Sequence, residues 1–197
     1  SITAGYGALG TGTTRTVENS DGSSSFAYLT AQKLNLNYSI VALRGICTEA
    51  YHWQKQWNMS SLYKVVSMNY TTTYDFSFNP DVVVIGLGTN EASYIQSAYN
   101  PGYAQYFKDD YKEFLEYVRE KNPNDLIISI YGMMGKNSTI DNGIQQAINE
   151  LNDENIVYLN DFVANTAGAN GHPNSNAHKG WANYLADYLV NKFNLSE

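Results

Sequence analysis

Four short apolar runs, rich in Val, Ile, Leu and Tyr and closed by turn residues, alternate along the chain with longer segments of helical period. The runs lie at 38–43, 81–88, 126–132 and 155–161, and their near-continuous apolar character predicts parallel strands buried on both faces. The clearest helix is predicted over 103–121, where Tyr106, Phe107, Tyr111, Phe114, Leu115 and Val118 recur at i+3/i+4 and Asn122-Pro123 stops the pattern. Further helices are predicted over 26–34, 140–152 and 176–193. Strands alternating with helices predict an α/β fold, a three-layer αβα sandwich around a mostly parallel central sheet. No repeat or linker divides the 197 residues, so one domain over 1–197 is expected, large enough for a full core. In such sheets ligands bind beyond the carboxyl ends of the strands, so chemistry is sought in the loops that follow them.

Composition narrows the classes. Apolar residues make up 43 % and charged residues 16 %, with no low-complexity tract, which argues against disorder. A net charge of −7 without any run of Lys or Arg argues against a nucleic-acid partner and against an anionic membrane. No apolar stretch is long enough to span a bilayer, and no signal peptide is present in the sequence. The sole cysteine, Cys47, has no partner for an intrachain disulfide and reads as a buried thiol, and no Cys/His cluster suggests a metal. Seventeen tyrosines and three tryptophans suit a protein that meets sugars, whose apolar faces pack on flat rings, although an AT-rich genome gives the same bias.

Four loop motifs carry candidate chemistry. Ser1-Ile2-Thr3-Ala4-Gly5-Tyr6-Gly7 offers a hydroxyl nucleophile in a glycine-rich loop. Arg44-Gly45-Ile46 follows the run at 38–43, where glycine lets the backbone approach a ligand; a plain turn glycine is the simpler reading. Gly88-Thr89-Asn90-Glu91 ends the second run, and an Asn there is either a turn former or a side-chain N–H donor to an oxyanion. Gly171-His172-Pro173-Asn174 places an imidazole on a loop before the last helix. His178, in the first turn of that helix, and His52, beside Tyr51 and Trp53, are its competitors as a base.

In this order the motifs resemble the blocks of SGNH (GDSL) hydrolases, whose opening block is Gly-Asp-Ser-Ile-Thr-x-Gly-Tyr-Gly, and the chain reads like a catalytic domain of that type. The intervening text is similar to family 2 carbohydrate esterases, as in Phe26-Ala27-Tyr28-Leu29-Thr30-Ala31, Pro80-Asp81-Val82-Val83-Val84 and Tyr131-Gly132-Met133-Met134-Gly135. The resemblance implies a secreted serine esterase that removes acetyl groups from acetylated poly- or oligosaccharides of the xylan type. It implies Ser1 as nucleophile, His172 as base, and Gly45 and Asn90 as oxyanion donors, with no cofactor. Tyr51, Trp53, Met134 and Asn170 are expected to contact sugar, as is Trp57, although Trp53 and Trp57 at i, i+4 fit packing equally well.

Two departures qualify this. Many SGNH hydrolases carry an Asp three residues before the histidine; here Ala169 stands there, with Asn170 next, which fits a Ser–His dyad whose imidazole is held by a backbone carbonyl. The strand and Gly-Asp that precede the serine in the family are missing, as is the N-terminal β-sandwich usual in family 2. The sheet is therefore expected to be completed by a preceding segment or a separate chain. The rival expectations are a glycan-binding module on an esterase fold, and an esterase acting on lipid or thioester substrates, for which an apolar lid helix would be needed.

Overall fold

The computed structural model describes residues 1–49, 57–69, 72–97 and 102–195. They form two compact units, Ser1–Arg44 with Val163–Glu197, and Gly45–Phe162.

The second unit holds the sheet. β1 (Val82–Ile85), β2 (Leu126–Ile130) and β3 (Ile156–Leu159) run parallel in the order β1-β2-β3, with Val82 opposite Leu126 and Ile127 opposite Ile156. Every residue of β2 is buried, as its near-continuous apolar run predicts. The chain crosses from β1 to β2 through α3 (Thr89–Ser97) and α4 (Tyr103–Lys121), and from β2 to β3 through α5 (Ser138–Leu151). α4 buries Tyr103, Phe107, Tyr111, Phe114, Leu115 and Val118, the face its period predicts except for Tyr106, which is exposed. Tyr111 satisfies its buried hydroxyl on Ser129 of β2 at 3.0 Å. α4 and α5 approach closely at Gly143, where an added Cβ would stand 2.8 Å from the Phe107 ring. Asn137 caps α5 by accepting from the N–H groups of Thr139 and Ile140, and Asn152 ends it in a left-handed conformation. A single turn of helix, α2 (Met59–Leu62), is closed by a capping box between Asn58 and Ser61.

The first unit pairs α1 (Phe26–Lys33) with α6 (Ser175–Phe193). Ser25 caps α1 and Asn174 caps α6 through their side chains. Trp181, Ala182, Leu185, Ala186 and Leu189 of α6 supply the buried face.

Three of the four predicted strands form where expected, and the one at 38–43 does not. No strand is present there, and Tyr38, Ile40 and Val41 are exposed. An extended segment becomes a strand only when a neighbour takes its N–H and C=O groups. None of the described strands pairs with it. α3, which the sequence pattern did not predict, begins at the residue after Gly88, so Asn90 lies in a first helical turn rather than in an open loop.

Candidate active site

In the first unit, the loop that begins at Ser1 and the loop that carries His172 are built against each other by the backbone. Ala169 N–H donates to Gly7 O at 2.9 Å, Asn170 N–H to Gly12 O at 2.8 Å, and Ser175 N–H to Ala8 O at 2.9 Å. Gly168 closes the histidine loop by donating to His172 O at 2.7 Å. The Ser1 end is a tight coil in which the N–H groups of Ala4 and Tyr6 both donate to Ser1 O. This closeness needs glycine: Gly7 has φ +71°, and a Cβ there would stand 2.5 Å from Ala169 O and 3.3 Å from His172 Cβ.

The His172 ring is fixed from two sides. Its Nδ1 lies 3.0 Å from the carbonyl oxygen of Asn170, which turns back toward the ring because Asn170 adopts φ 54°, ψ 38°. In the neutral ring that carbonyl selects the Nδ1–H tautomer and leaves the Nε2 lone pair as acceptor. Tyr6 packs its ring on the imidazole with centroids 4.4 Å apart, and the guanidinium carbons of Arg15 and Arg44 lie 4.2 and 5.3 Å from the centre of the Tyr6 ring. Burial holds the His172 pKa below the usual histidine value; repulsion from Arg44 acts the same way, against the hydrogen bond to Asn170. The Ser1 hydroxyl makes no hydrogen bond with His172 among the described residues.

His178, the competitor on α6, is fully buried. Its Nδ1 accepts from Phe26 N–H at 3.1 Å, which places it at the start of α1, and its ring is parallel to that of Phe26. Burial lowers its pKa to about 4, so it is neutral and committed to structure at neutral pH.

In the second unit, Gly45 and Asn90 are brought together. Asn90 Nδ2 donates to Ile46 O at 2.7 Å, which uses one amide hydrogen and orients the other. Gly45 has φ +73° and Gly88 φ +110°, so each donor sits beside a left-handed turn. Beneath them the fully buried Glu91 takes three hydrogen bonds, from Thr48 N–H (2.6 Å), Thr48 Oγ1 (2.9 Å) and Gly88 N–H (3.1 Å). Cys47 is buried in the same turn, and burial together with Glu91 pushes its thiol pKa far up, so it is no nucleophile.

Tyr51, Trp53 and His52 lie outside the described residues. Met134 and Trp57 are half-buried, and Asn170 is exposed. Among the described residues no group of three His, Cys, Asp or Glu side chains converges to hold a metal, and no helix is long and apolar enough to cross a membrane. Sequence reasoning missed Tyr6, Arg15, Arg44 and Thr48 as participants. Tyr6 carried a signal, a large ring placed between two glycines, whereas Thr48 carried none.

Residues 1–189 match the GDSL-like Lipase/Acylhydrolase family. No curated protein sequence matches the chain. Among solved structures, the chain is similar to an acetyl xylan esterase, Est2A, from the rumen bacterium Butyrivibrio proteoclasticus, at 26 % identity and TM-score 0.85. It is also similar to a family two carbohydrate esterase from Clostridium thermocellum in complex with cellohexaose, at 27 % identity and TM-score 0.87. In both comparisons the match covers 98 % of this chain but 62 % of the other, so the chain spans less than two thirds of those proteins. A Corynascus family 2 enzyme with a carbohydrate binding domain gives 24 % identity and TM-score 0.86, over 98 % of this chain and 64 % of the other.

Proposed function

The chain belongs to the GDSL-like lipase/acylhydrolase family, and from that premise we propose that it is a carbohydrate esterase that removes acetyl groups from a xylan-type polysaccharide outside the cell. The reading rests chiefly on one observation, the backbone carbonyl of Asn170 on Nδ1 of His172, which serves as the orienting group where Ala169 stands in place of an acid. His172 Nε2 takes the proton of the Ser1 hydroxyl as Oγ attacks the acetyl carbonyl. The oxyanion is stabilised by Asn90 Nδ2–H and Gly45 N–H, which strengthen as charge develops. The tetrahedral intermediate collapses, the imidazolium protonates the departing sugar oxygen, and water then attacks the acyl-Ser1 with His172 again as base. An acetyl xylan esterase and a cellohexaose complex among the similar structures support the sugar assignment, and Tyr51, Trp53, Met134 and Asn170 remain the candidates for sugar contact.

Acetate release from acetylated xylan, set against p-nitrophenyl acetate, tests this reading. Because an imidazolium cannot accept the serine proton, turnover should be full above the His172 pKa and fall about tenfold per pH unit below it, with the midpoint under pH ~6.5. A profile flat from pH 4 to 8 would exclude His172 as base. The cellohexaose in one similar structure favours a second reading, glycan binding with little turnover; cello-oligosaccharide affinity without acetate release would establish it.

We also propose that the sheet is completed by another strand, from a preceding segment or a separate polypeptide. β1 is a run of Val-Val-Val-Ile that pairs only with β2 among the described strands, and an unguarded apolar edge of this kind is an aggregation hazard. Intact mass of the natural protein tests this, since one species of residues 1–197, folded and monomeric, would refute it.

A further inference from the structure

Glu91 makes more hydrogen bonds than a helix cap requires. It is the third residue of α3, and its Oε2 accepts from the N–H of Gly88 just before the helix, which is half of a capping box. Its other oxygen leaves the helix altogether. Oε1 takes both the N–H and the hydroxyl of Thr48, a residue 43 positions earlier and itself fully buried. No ion pair of Glu91 is present among the described residues, so the carboxylate is supported by N–H and O–H donors alone. Burial raises its pKa while these hydrogen bonds lower it. A buried acid costs free energy, and a capping role alone does not require burial.

We infer that Glu91 is a positioning residue that holds the turn carrying Gly45 and the turn carrying Asn90 at a fixed separation. The inference rests on the reading of those two as oxyanion donors. The chain of contacts is continuous: Gly88 N–H to Oε2, Oε1 to Thr48, and Asn90 Nδ2 back to Ile46 O, between Gly45 and Thr48. It forms a ring in which the two donor-bearing turns are tied twice, once by the Asn90 amide and once by the carboxylate. The Asn90 tie orients the remaining amide hydrogen, and the second tie fixes the turn against which that orientation is set. Aspartate, shorter by one methylene, would reach Gly88 N–H but fall short of Thr48.

Two readouts on the whole protein test this. E91Q offers one acceptor where two are needed, so kcat should fall about ten- to a hundredfold while KM stays within about twofold. Amide hydrogen exchange at Gly88 and Thr48 should quicken at least about tenfold, with the β2 amides unchanged. E91D should keep Gly88 protected and lose Thr48, which a simple capping role does not foresee. If E91Q fails to fold, T48V removes only the hydroxyl; its kcat should drop several-fold and recover in T48S. Turnover within twofold of wild type in folded E91Q, a loss expressed in KM, or unchanged exchange at Thr48 would each overturn the inference. If the wild type hydrolyses no ester, the esterase reading falls by itself. The exchange result then decides whether Glu91 ties the two turns.

Discussion

The two regions that carry candidate chemistry are held in opposite ways. Around His172 the loops are held mainly by backbone, through left-handed Asn170, Gly7 and Gly171 and a set of loop–loop N–H···O=C bonds, with the Tyr6 ring packed on the imidazole and no acid hydrogen-bonded to it among the described residues. Around Asn90 a single buried carboxylate gathers two turns. The contrast follows from what each region must present. A base that alternates between neutral and charged forms is served by a neutral carbonyl on Nδ1, which accepts in either state. The proposed oxyanion donors do not change charge, so a buried carboxyl group behind them, bonded to Gly88 and Thr48 rather than to the donors themselves, can serve to fix geometry.

The largest expected effects break the first region. Ser1→Ala and His172→Ala should each lower kcat by about 10³-fold or more, since the members of a nucleophile–base pair act as a unit. Esterase assays beside circular dichroism check that the fold survives. Asn90→Ala should cost about 10²–10³ in kcat with little change in KM, because its amide meets charge that exists only after attack. An equal rise in KM at unchanged kcat would make Asn90 a sugar ligand.

A third prediction sets His172 against the other histidine of its own unit. His178 has its folded pKa depressed to about 4 from the ordinary 6.5, so the unfolded chain binds the proton more readily. Stability from this group is complete above pH ~6.5, is lost as pH falls toward 4, and changes no further below. The span of 2.5 units corresponds to roughly 3 kcal/mol. His178→Asn keeps an acceptor for Phe26 N–H and does not titrate, so the wild-type minus H178N difference in urea unfolding should fall between pH 7 and 4.5. A constant difference would mean that His178 is not buried as a neutral ring.

Much of this was legible in the chain. The 3.6-residue period of 103–121 set the α4 boundaries at the right residues, and the apolar runs at 81–88, 126–132 and 155–161 located the three strands, because burial on both faces leaves a continuous apolar signature. The run at 38–43 carries the same signature yet forms no strand, since periodicity records burial preference and says nothing of which neighbour supplies hydrogen bonds. The order Ser, Gly, Asn, His was readable as motif. A backbone carbonyl on the imidazole was implied by the resemblance; that Asn170 supplies it was not readable, because a left-handed conformation at Asn leaves little trace in sequence beside the Gly171 that follows it. Glu91 was visible only as the last residue of the Gly88–Glu91 motif; its contact with Thr48 spans 43 residues and is a product of the fold.

The smallest effect asks how tightly backbone alone can hold a base. Gly7→Ala places a methyl 2.5 Å from Ala169 O, one residue before the carbonyl that orients His172, and also forces an L-residue to φ +71°. Gly12→Ala imposes a comparable conformational penalty at φ +102°, but its added methyl meets nothing within 4 Å, although Gly12 O also accepts from this loop. Both should lose about 1–2 kcal/mol of stability from backbone strain. Only G7A should displace the histidine loop, lowering kcat about tenfold, since a shift of a few tenths of an ångström misaligns Nε2 without abolishing it. Equal kcat in the two variants would mean that the loop is held by its hydrogen bonds to Gly12 and Ala8 rather than by contact at Gly7. The difference between them, read by steady-state kinetics at matched folded fraction, isolates steric fit from conformational strain.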